Sequence, residues 1–344
     1  MQASATSILI IYTGGTIGMK ENPETGALAP FKFDQLLNEV PELRKFGFSL
    51  DTISFDPLID SSDISPAIWA ELALIVKNNY HKYHGFVILH GTDTMSFSAS
   101  ALSFMLENLN KPVVFTGSQL PIGMLRTDGK ENLISAIEIA AAYSNGKPLV
   151  PEVTIFFENQ LFRGNRTTKH NAEHFNAFRS DNYPPLAQAG ISIKYNFPYI
   201  HYPTPSQEFK VHTNLGCDVA ILKLFPGISP ATVDAILNQE GLKAVVLETY
   251  GAGNAISDDW FLKRIQKAVE KGIVILNVTQ CKAGVVDMDK YENGLLLKKL
   301  GVLNGKDITF EAAIVKLMFL LGKNLSLEKT KELAQKSISG EITS

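Results

Sequence analysis

The chain has 344 residues, of which 45% are hydrophobic and 19% charged, with a formal net charge of -3 and a pI of about 6.2. This is globular composition with material for two domains of ordinary size. It lacks the clustered Lys and Arg that nucleic acid or anionic lipid would require, so a small-molecule partner is expected.

The N-terminus "MQASATSILIIYTGG" has no basic segment, and its apolar run is too short for a signal peptide. No stretch approaches the ~18 apolar residues of a membrane-spanning helix. Cys217 and Cys281 are far apart and outside any C-x-x-C pattern, which argues against a disulfide framework or zinc ribbon and fits a reducing compartment. A cytoplasmic location is the expectation.

Four short apolar runs, Ile8–Tyr12, Phe86–His90, Val113–Thr116 and Val153–Phe157, look like strands buried on both faces, as in a parallel sheet. Between them lie stretches of helical spacing: "SPAIWAELALIVKNNYHKYH" from Ser65, with Pro66 in the first turn, then "SFSASALSFMLENL" and "DGKENLISAIEIAAAYS". Alternation of strand and helix predicts an α/β layer fold. Near Tyr195 the composition shifts to prolines and aromatics, "YNFPYIHYPTPSQEF", which reads as an ordered connector. The alternation then resumes. The expected division is a larger N-terminal α/β domain over 1–194, a connector over 195–213 and a smaller C-terminal α/β domain over 214–344.

In open α/β sheets ligands bind beyond the carboxyl ends of the strands, so the residues just past each run carry the information. These are Thr13, Gly14, Gly15 and Thr16 after the first, then His90, Gly91, Thr92, Asp93 and Thr94. After Val153–Phe157 comes "ENQLFRGNRTTKH", with Arg163, Arg166, Thr168, Lys169 and His170. "DSSDIS", holding Asp60, Ser61, Ser62 and Asp63, precedes the helix at Ser65.

Each stretch has an ordinary structural reading beside a chemical one. The glycines of "TGGTIG" can serve a turn with φ > 0, or a turn that presents a threonine hydroxyl as nucleophile; there is no G-x-G-x-x-G and no Walker GK[ST]. A threonine needs a base beside it to react. Thr92 or Asp93 can cap the following helix, or supply a hydroxyl next to a carboxylate. Lys169 can lie on a solvated basic loop or act as the base, with Arg163 and Arg166 as cationic neighbours and Asp93 as the opposing charge. His170 and His174 form HNAEH rather than H-E-x-x-H, and no third metal ligand is evident, so no metal or cofactor is expected.

"TGGTIG", "IDSSDI", "HGTDTM" and "RGNRTTK", in this order, resemble the bacterial-type L-asparaginases, most closely their cytoplasmic type I branch. The resemblance extends from about Ile8 through "YGAGNA" and "NVTQCKAG". It implies a flavodoxin-like first domain and an amidohydrolase converting L-asparagine and water to L-aspartate and ammonia through a threonine acyl-enzyme. By position, Thr16 matches the nucleophile, and Thr92, Asp93 and Lys169 match the second threonine and the aspartate–lysine pair. Ser61 and Asp93 match the positions that hold the substrate's α-carboxylate and α-ammonium; Asp60, Ser62 and Gly91 are similar to the rest of that pocket. Asn254 matches a residue lent to the neighbouring subunit in a homodimer or homotetramer.

Two positions depart from the family pattern. Many relatives carry a tyrosine on the mobile loop after the first motif, whereas "KENPETGALAPF" has Leu28 near the matching place and no tyrosine. Some type I enzymes bind a second asparagine as activator through an arginine; here Glu248 stands at that position, although Thr168 and Cys281 match the effector pocket. Alternatives from other classes are a glutaminase-type amidase, the ammonia-generating subunit of a tRNA amidotransferase, and a non-catalytic small-molecule sensor. The amidotransferase subunit usually bears an extra N-terminal domain, for which a first motif starting at Thr13 leaves no room.

Overall fold

The computed structural model describes residues 6–21, 28–30, 40–204 and 206–343, with backbone alone for 20, 21 and 28–30. Two compact units emerge, Met1–Thr213 and Asn214–Ser344.

In the first unit five strands run parallel: β1 (Ser7–Tyr12), β2 (Ser49–Ser54), β3 (Gly85–Leu89), β4 (Val113–Thr116) and β5 (Val153–Phe157). Their order across the sheet is β2-β1-β3-β4-β5. This is the flavodoxin-like doubly wound order, whose topological switch point lies between β1 and β3. Beyond β5 the sheet continues antiparallel through β6 (Gln160–Arg163). Next in the chain, β7 (Thr168–Lys169) and β8 (Phe178–Arg179) form a separate small ladder, and β9 (Ala187–Gln188) and β10 (Lys194–Tyr195) complete the large sheet.

The apolar runs become central strands because both faces are covered. On one face Ile8, Ile10, Val87, Leu89, Val114 and Phe156 form a core with Leu133, Ala136 and Ile137. Alternate residues, including Ile88, Phe115 and Ile155, are fully buried on the other face. Three helices supply the layers: α1 (Pro66–Asn79), α2 (Met95–Met105) and α3 (Gly129–Ala140). Strand β2 has no apolar run; its residues are exposed or half-buried. It forms as an edge strand through its backbone ladder to β1, from Ser7↔Ser49 to Tyr12↔Ser54.

The aromatic stretch after Tyr195 is tied into this first unit. Phe209 stacks on Tyr80 with ring centroids 3.9 Å apart, and Lys210–Val211 pairs with Leu106–Glu107.

The second unit is a four-stranded parallel sheet in chain order: β11 (Val219–Lys223), β12 (Ala244–Thr249), β13 (Val274–Thr279) and β14 (Leu303–Asn304). The helices are α4 (Pro230–Leu237), α5 (Asp259–Glu270), α6 (Glu292–Lys299), α7 (Phe310–Gly322) and α8 (Leu327–Gln335). Leu222, Val245, Leu247 and Ile275 pack against Val233, Leu237, Phe261 and Ile265. Ser229, Thr309 and Ser326 cap α4, α7 and α8 by accepting first-turn N–H groups. Among the described residues no helix is long and apolar enough to cross a membrane.

Candidate active site

The turn after β1 lies at the switch point of the large sheet. Gly14 and Gly15 have φ of +139° and +88°. A Cβ on Gly14 would stand 2.2 Å from the Ile59 carbonyl oxygen, and one on Gly15 would stand 2.5 Å from the Gly91 backbone. A Cβ on Gly91 would in turn meet the Ser61 hydroxyl at 2.5 Å. The glycines therefore serve both left-handed backbone and close approach, letting three chain segments meet with almost nothing between them. The Ile59 N–H donates to the Thr13 carbonyl at 2.8 Å.

Within this turn the two threonines differ. Thr13 is 1% exposed and its hydroxyl donates to the Leu89 carbonyl at 3.0 Å, a structural role. Thr16 is half-buried and opens a 3-10 turn, Thr16–Gly18. Its hydroxyl has no hydrogen-bond partner among the described residues. The loop that follows lies mostly outside the described residues: Leu28 belongs to a short strand, Leu28–Pro30, paired with Met19–Glu21, while its side chain and residues 22–27 and 31–39 are not described.

The "DSSD" stretch forms another 3-10 turn, Ser61–Asp63, capped by Asp60. The Asp60 carboxylate accepts the Ser62 N–H at 2.8 Å and the Ser62 hydroxyl at 2.7 Å. These bonds, the backbone one foremost, hold its pKa below the usual carboxylate value. Ser61 is 5% exposed, and its carbonyl accepts the Thr94 hydroxyl at 2.6 Å.

After β3 the chain turns through His90–Thr94. His90 is fully buried, and burial pushes its pKa down to about 4. It is therefore neutral at pH 7. Nδ1 lies 2.7 Å from the Gly91 carbonyl oxygen and Nε2 lies 2.9 Å from the Ser98 hydroxyl. Since a carbonyl can only accept, Nδ1 carries the proton and Ser98 donates to Nε2, while the Trp69 indole N–H donates to Ser98 at 2.8 Å. His90 is thus a fully bonded support under Gly91. The N-cap of α2 is Thr94, so Thr92 and Asp93 stand ahead of the helix and neither caps it.

Lys169, in β7, reaches this turn. Its ammonium donates to the Thr92 hydroxyl oxygen at 2.8 Å and to Asp93 Oδ1 at 2.6 Å. The Lys169 side chain is 19% exposed and that of Asp93 is 68% exposed, so the carboxylate is open to an incoming cation. Arg163 is engaged elsewhere than the sequence suggested. Its guanidinium pairs with Glu152, Nε to Oε2 at 2.6 Å, and stacks 4.5 Å from the Tyr183 ring centroid, with Arg166 4.9 Å from the same ring.

One site residue was missed from sequence. Gln119 follows β4, at the same carboxyl rim, in "TGSQLP". Its amide N–H groups donate to the Ala172 and His174 carbonyls at 3.2 and 3.1 Å. Its oxygen accepts a long, 3.4 Å hydrogen bond from Thr92. The rim rule that singled out the other segments would have found it had it been applied after Val113–Thr116.

His170 and His174 are exposed, and among the described residues no group of three or more His, Cys, Asp or Glu could hold a metal ion. In the second unit, Asn254 is half-buried in a turn bridged to Tyr250. Glu248, 8% exposed, is the penultimate residue of β12, with Lys223 Nζ 3.4 Å away. Thr168 is buried in the first unit, and Cys281 is exposed in the second.

In the first unit the site thus offers a hydroxyl at Thr16 with no hydrogen-bond partner among the described residues, a second hydroxyl joined to an amine at Thr92, an open carboxylate at Asp93, and small polar groups around Ser61. These groups come from turns at the carboxyl rim of the large sheet, where ligands of open α/β sheets bind.

The chain is similar to known proteins over almost its whole length. The family profile "Asparaginase, N-terminal" matches residues 7–200, and "Glutaminase/Asparaginase C-terminal domain" matches residues 218–333. L-asparaginase 1 of Escherichia coli K12 is 44% identical over 341 residues, covering 98% of both chains. The human 60 kDa lysophospholipase is 43% identical over 98% of this chain and 61% of its own length. The crystal structure of L-asparaginase I from Vibrio cholerae superposes with a TM-score of 0.90 at 43% identity, covering 99% of this chain and all of that one. With both family profiles matched and near-complete coverage by relatives above 40% identity, the chain belongs to the asparaginase family.

Proposed function

We propose that the protein hydrolyses L-asparagine to L-aspartate and ammonia through an acyl-enzyme on Thr16. The observation that carries this reading is the contact of Lys169 with both Thr92, at 2.8 Å, and Asp93, at 2.6 Å, in a turn packed against the Thr16 loop through Gly15 and Gly91. The substrate's α-ammonium sits against Asp93 and its α-carboxylate against Ser61 and the donors around it, with Asp60, Ser62 and Gly91 shaping the pocket. The Thr16 oxygen attacks the side-chain amide carbon. Its proton passes through the Thr92–Lys169–Asp93 group to the nitrogen, and ammonia leaves. Water then cleaves the ester, the proton returning to Thr16.

The Thr92 hydroxyl and nearby backbone N–H groups serve the developing oxyanion; a well-placed donor of this kind contributes about 3–4 kcal/mol. Asn254 completes the site of a neighbouring subunit in a dimer or pair of dimers, and the protein works in the cytoplasm without a cofactor.

A coupled ammonia assay over L-asparagine, L-glutamine and D-asparagine tests the reading. L-Asparagine is expected to give the highest kcat/KM. Thr16→Ala and Lys169→Met are each expected to lower kcat at least about 100-fold, the lower range for loss of acid–base assistance. Full turnover in both variants would show the roles to be wrong, and preference for glutamine would select the glutaminase alternative. No turnover of any amide by a protein that still binds aspartate would select the sensor.

A further inference from the structure

Thr94 stands at the N-cap of α2, a position where a threonine oxygen ordinarily accepts a hydrogen bond from the first turn. It makes no such bond, and its backbone, at φ −115° and ψ 12°, lies outside the usual extended cap geometry. Its hydroxyl donates instead to the Ser61 carbonyl at 2.6 Å, across 33 residues of chain. The other bond to that carbonyl, from the Ile64 N–H, is long at 3.4 Å. The cross-loop contact is therefore the strong one. Local helix capping has been given up for it, the kind of departure from local rules that marks functional positions.

Ser61 is gripped at a second point by the same turn. Its side chain lies so close to Gly91 that a Cβ there would fall 2.5 Å from Oγ and 2.6 Å from the Ser61 Cβ. Gly91 and Thr94 thus hold Ser61 on either side of Thr92 and Asp93. Asp93, between the two grips, keeps its carboxylate exposed and bonded to Lys169.

We propose that Thr94 is a positioning residue that sets the spacing between the carboxylate-binding and ammonium-binding ends of the amino-acid clasp. This rests on the assignment of Ser61 and Asp93 to those two ends. Thr94 does not touch substrate. It ties the loop carrying one end to the turn carrying the other, so that a ligand with both charges on one carbon meets them in register. A ligand bearing only one of the two groups can follow whichever loop it binds and is indifferent to the tie.

The test is equilibrium binding of L-aspartate, succinate and β-alanine to the full chain, by calorimetry or NMR titration. Thr94→Val keeps the side-chain volume and removes the donor; Thr94→Ser keeps the donor. With one neutral hydrogen bond lost, Thr94→Val is expected to weaken L-aspartate about tenfold. Succinate, which lacks the ammonium, and β-alanine, which lacks the α-carboxylate, should stay within about twofold of the parent. Thr94→Ser should restore L-aspartate. In turnover Thr94→Val should raise KM for L-asparagine with kcat nearly constant, as expected for uniform binding.

Unchanged L-aspartate affinity in a folded Thr94→Val overturns the inference. A parallel loss for all three ligands also overturns it, since it would reveal general loosening of the loop. If the parent binds L-aspartate but releases no ammonia from asparagine, the proposed reaction fails while the clasp stands. If the parent does not bind L-aspartate, the clasp itself is refuted.

Discussion

Removing the amine of Lys316 should unfasten the end of the chain. Lys316 on α7 and Glu341 are both completely buried, with Nζ 2.6 Å from Oε1. Nζ also donates to the Ala334 and Lys336 carbonyls at 3.0 and 2.5 Å. Glu341 accepts backbone N–H groups from Ile338 at 3.1 Å and Ser339 at 2.8 Å. The pair thus joins α7, the end of α8 and the tail. Truncating one partner of a buried pair costs about 3–5 kcal/mol, because the other charge is left uncompensated. In Lys316→Met the carboxylate keeps two backbone donors, which places the loss near about 3 kcal/mol. For a unit of this size that corresponds to a fall in Tm of about 10 °C. Calorimetry of the full chain, with the second unit's transition resolved if the two separate, is the assay. Lys316→Met combined with Glu341→Leu, which removes the stranded carboxylate, should recover most of the deficit. A Lys316→Met protein that melts within about 2 °C of the parent at pH 7 would refute the reasoning.

Four further outcomes follow from the geometry. Gly15→Ala forces a methyl to 2.5 Å from the Gly91 backbone at φ +88°, so it should cost about 2–3 kcal/mol of stability and abolish detectable turnover; a stable, active variant would contradict the packing argument. His90, at 6.5 when unfolded and about 4 when folded, binds fewer protons in the native state over that window. Stability should therefore be complete above pH 6.5 and fall by up to about 3 kcal/mol as pH drops toward 4, a slope that denaturant titrations should find flattened in His90→Gln. With Glu248 rather than arginine at the effector position, and Lys223 3.4 Å from it, the rate curve for asparagine should be hyperbolic; a Hill coefficient well above one would argue for a working effector site. Rapid acid quench and peptide mass spectrometry should place an aspartyl adduct on the peptide containing Thr16, and an adduct on Thr92 would reverse the proposed roles.

The central sheet was legible because its strands are buried on both faces, which writes a continuous apolar run into the sequence at β1, β3, β4 and β5. Strand β2 left no such run: its pairing with β1 is backbone against backbone, and its side chains are exposed or half-buried, with Leu50 packed against the core. The meeting of Thr92 and Asp93 with Lys169 across 77 and 76 residues was suggested by the rim rule and by family resemblance, since spacing alone carries no distance. Gln119 escaped because the rim rule was not carried past Val113–Thr116, where "TGSQLP" follows the strand. Thr94 escaped for the opposite reason. It looks like a routine helix cap, and only coordinates reveal that its hydroxyl turns away from the helix toward Ser61. The balance of charge around Lys169 was left open by the sequence, because a basic run says nothing of where each guanidinium goes; Arg163 pairs with Glu152.

The roles proposed for the two threonines are supported by a count of donors and acceptors. The Thr92 oxygen accepts a hydrogen bond from Lys169 while its own proton points to Gln119. A lone pair committed to an ammonium is poorly placed to attack carbon, and a hydroxyl in that state is better suited to pass a proton or to donate to an oxyanion. Thr16 is under neither constraint: its hydroxyl is half-buried, carries no protein hydrogen bond among the described residues, and sits on a turn pressed against the Thr92 segment through Gly15 and Gly91. A hydroxyl with no bond to any described residue is the one suited to take up a new bond when a substrate arrives. The hydroxyl already wired to the amine is the one able to move the proton that bond releases. Under the proposed reaction the glycines of the first motif have a chemical consequence beyond their steric one: larger residues at 15 or 91 would push the Thr16 turn and the Thr92 turn apart, separating the proposed nucleophile from the proposed proton relay.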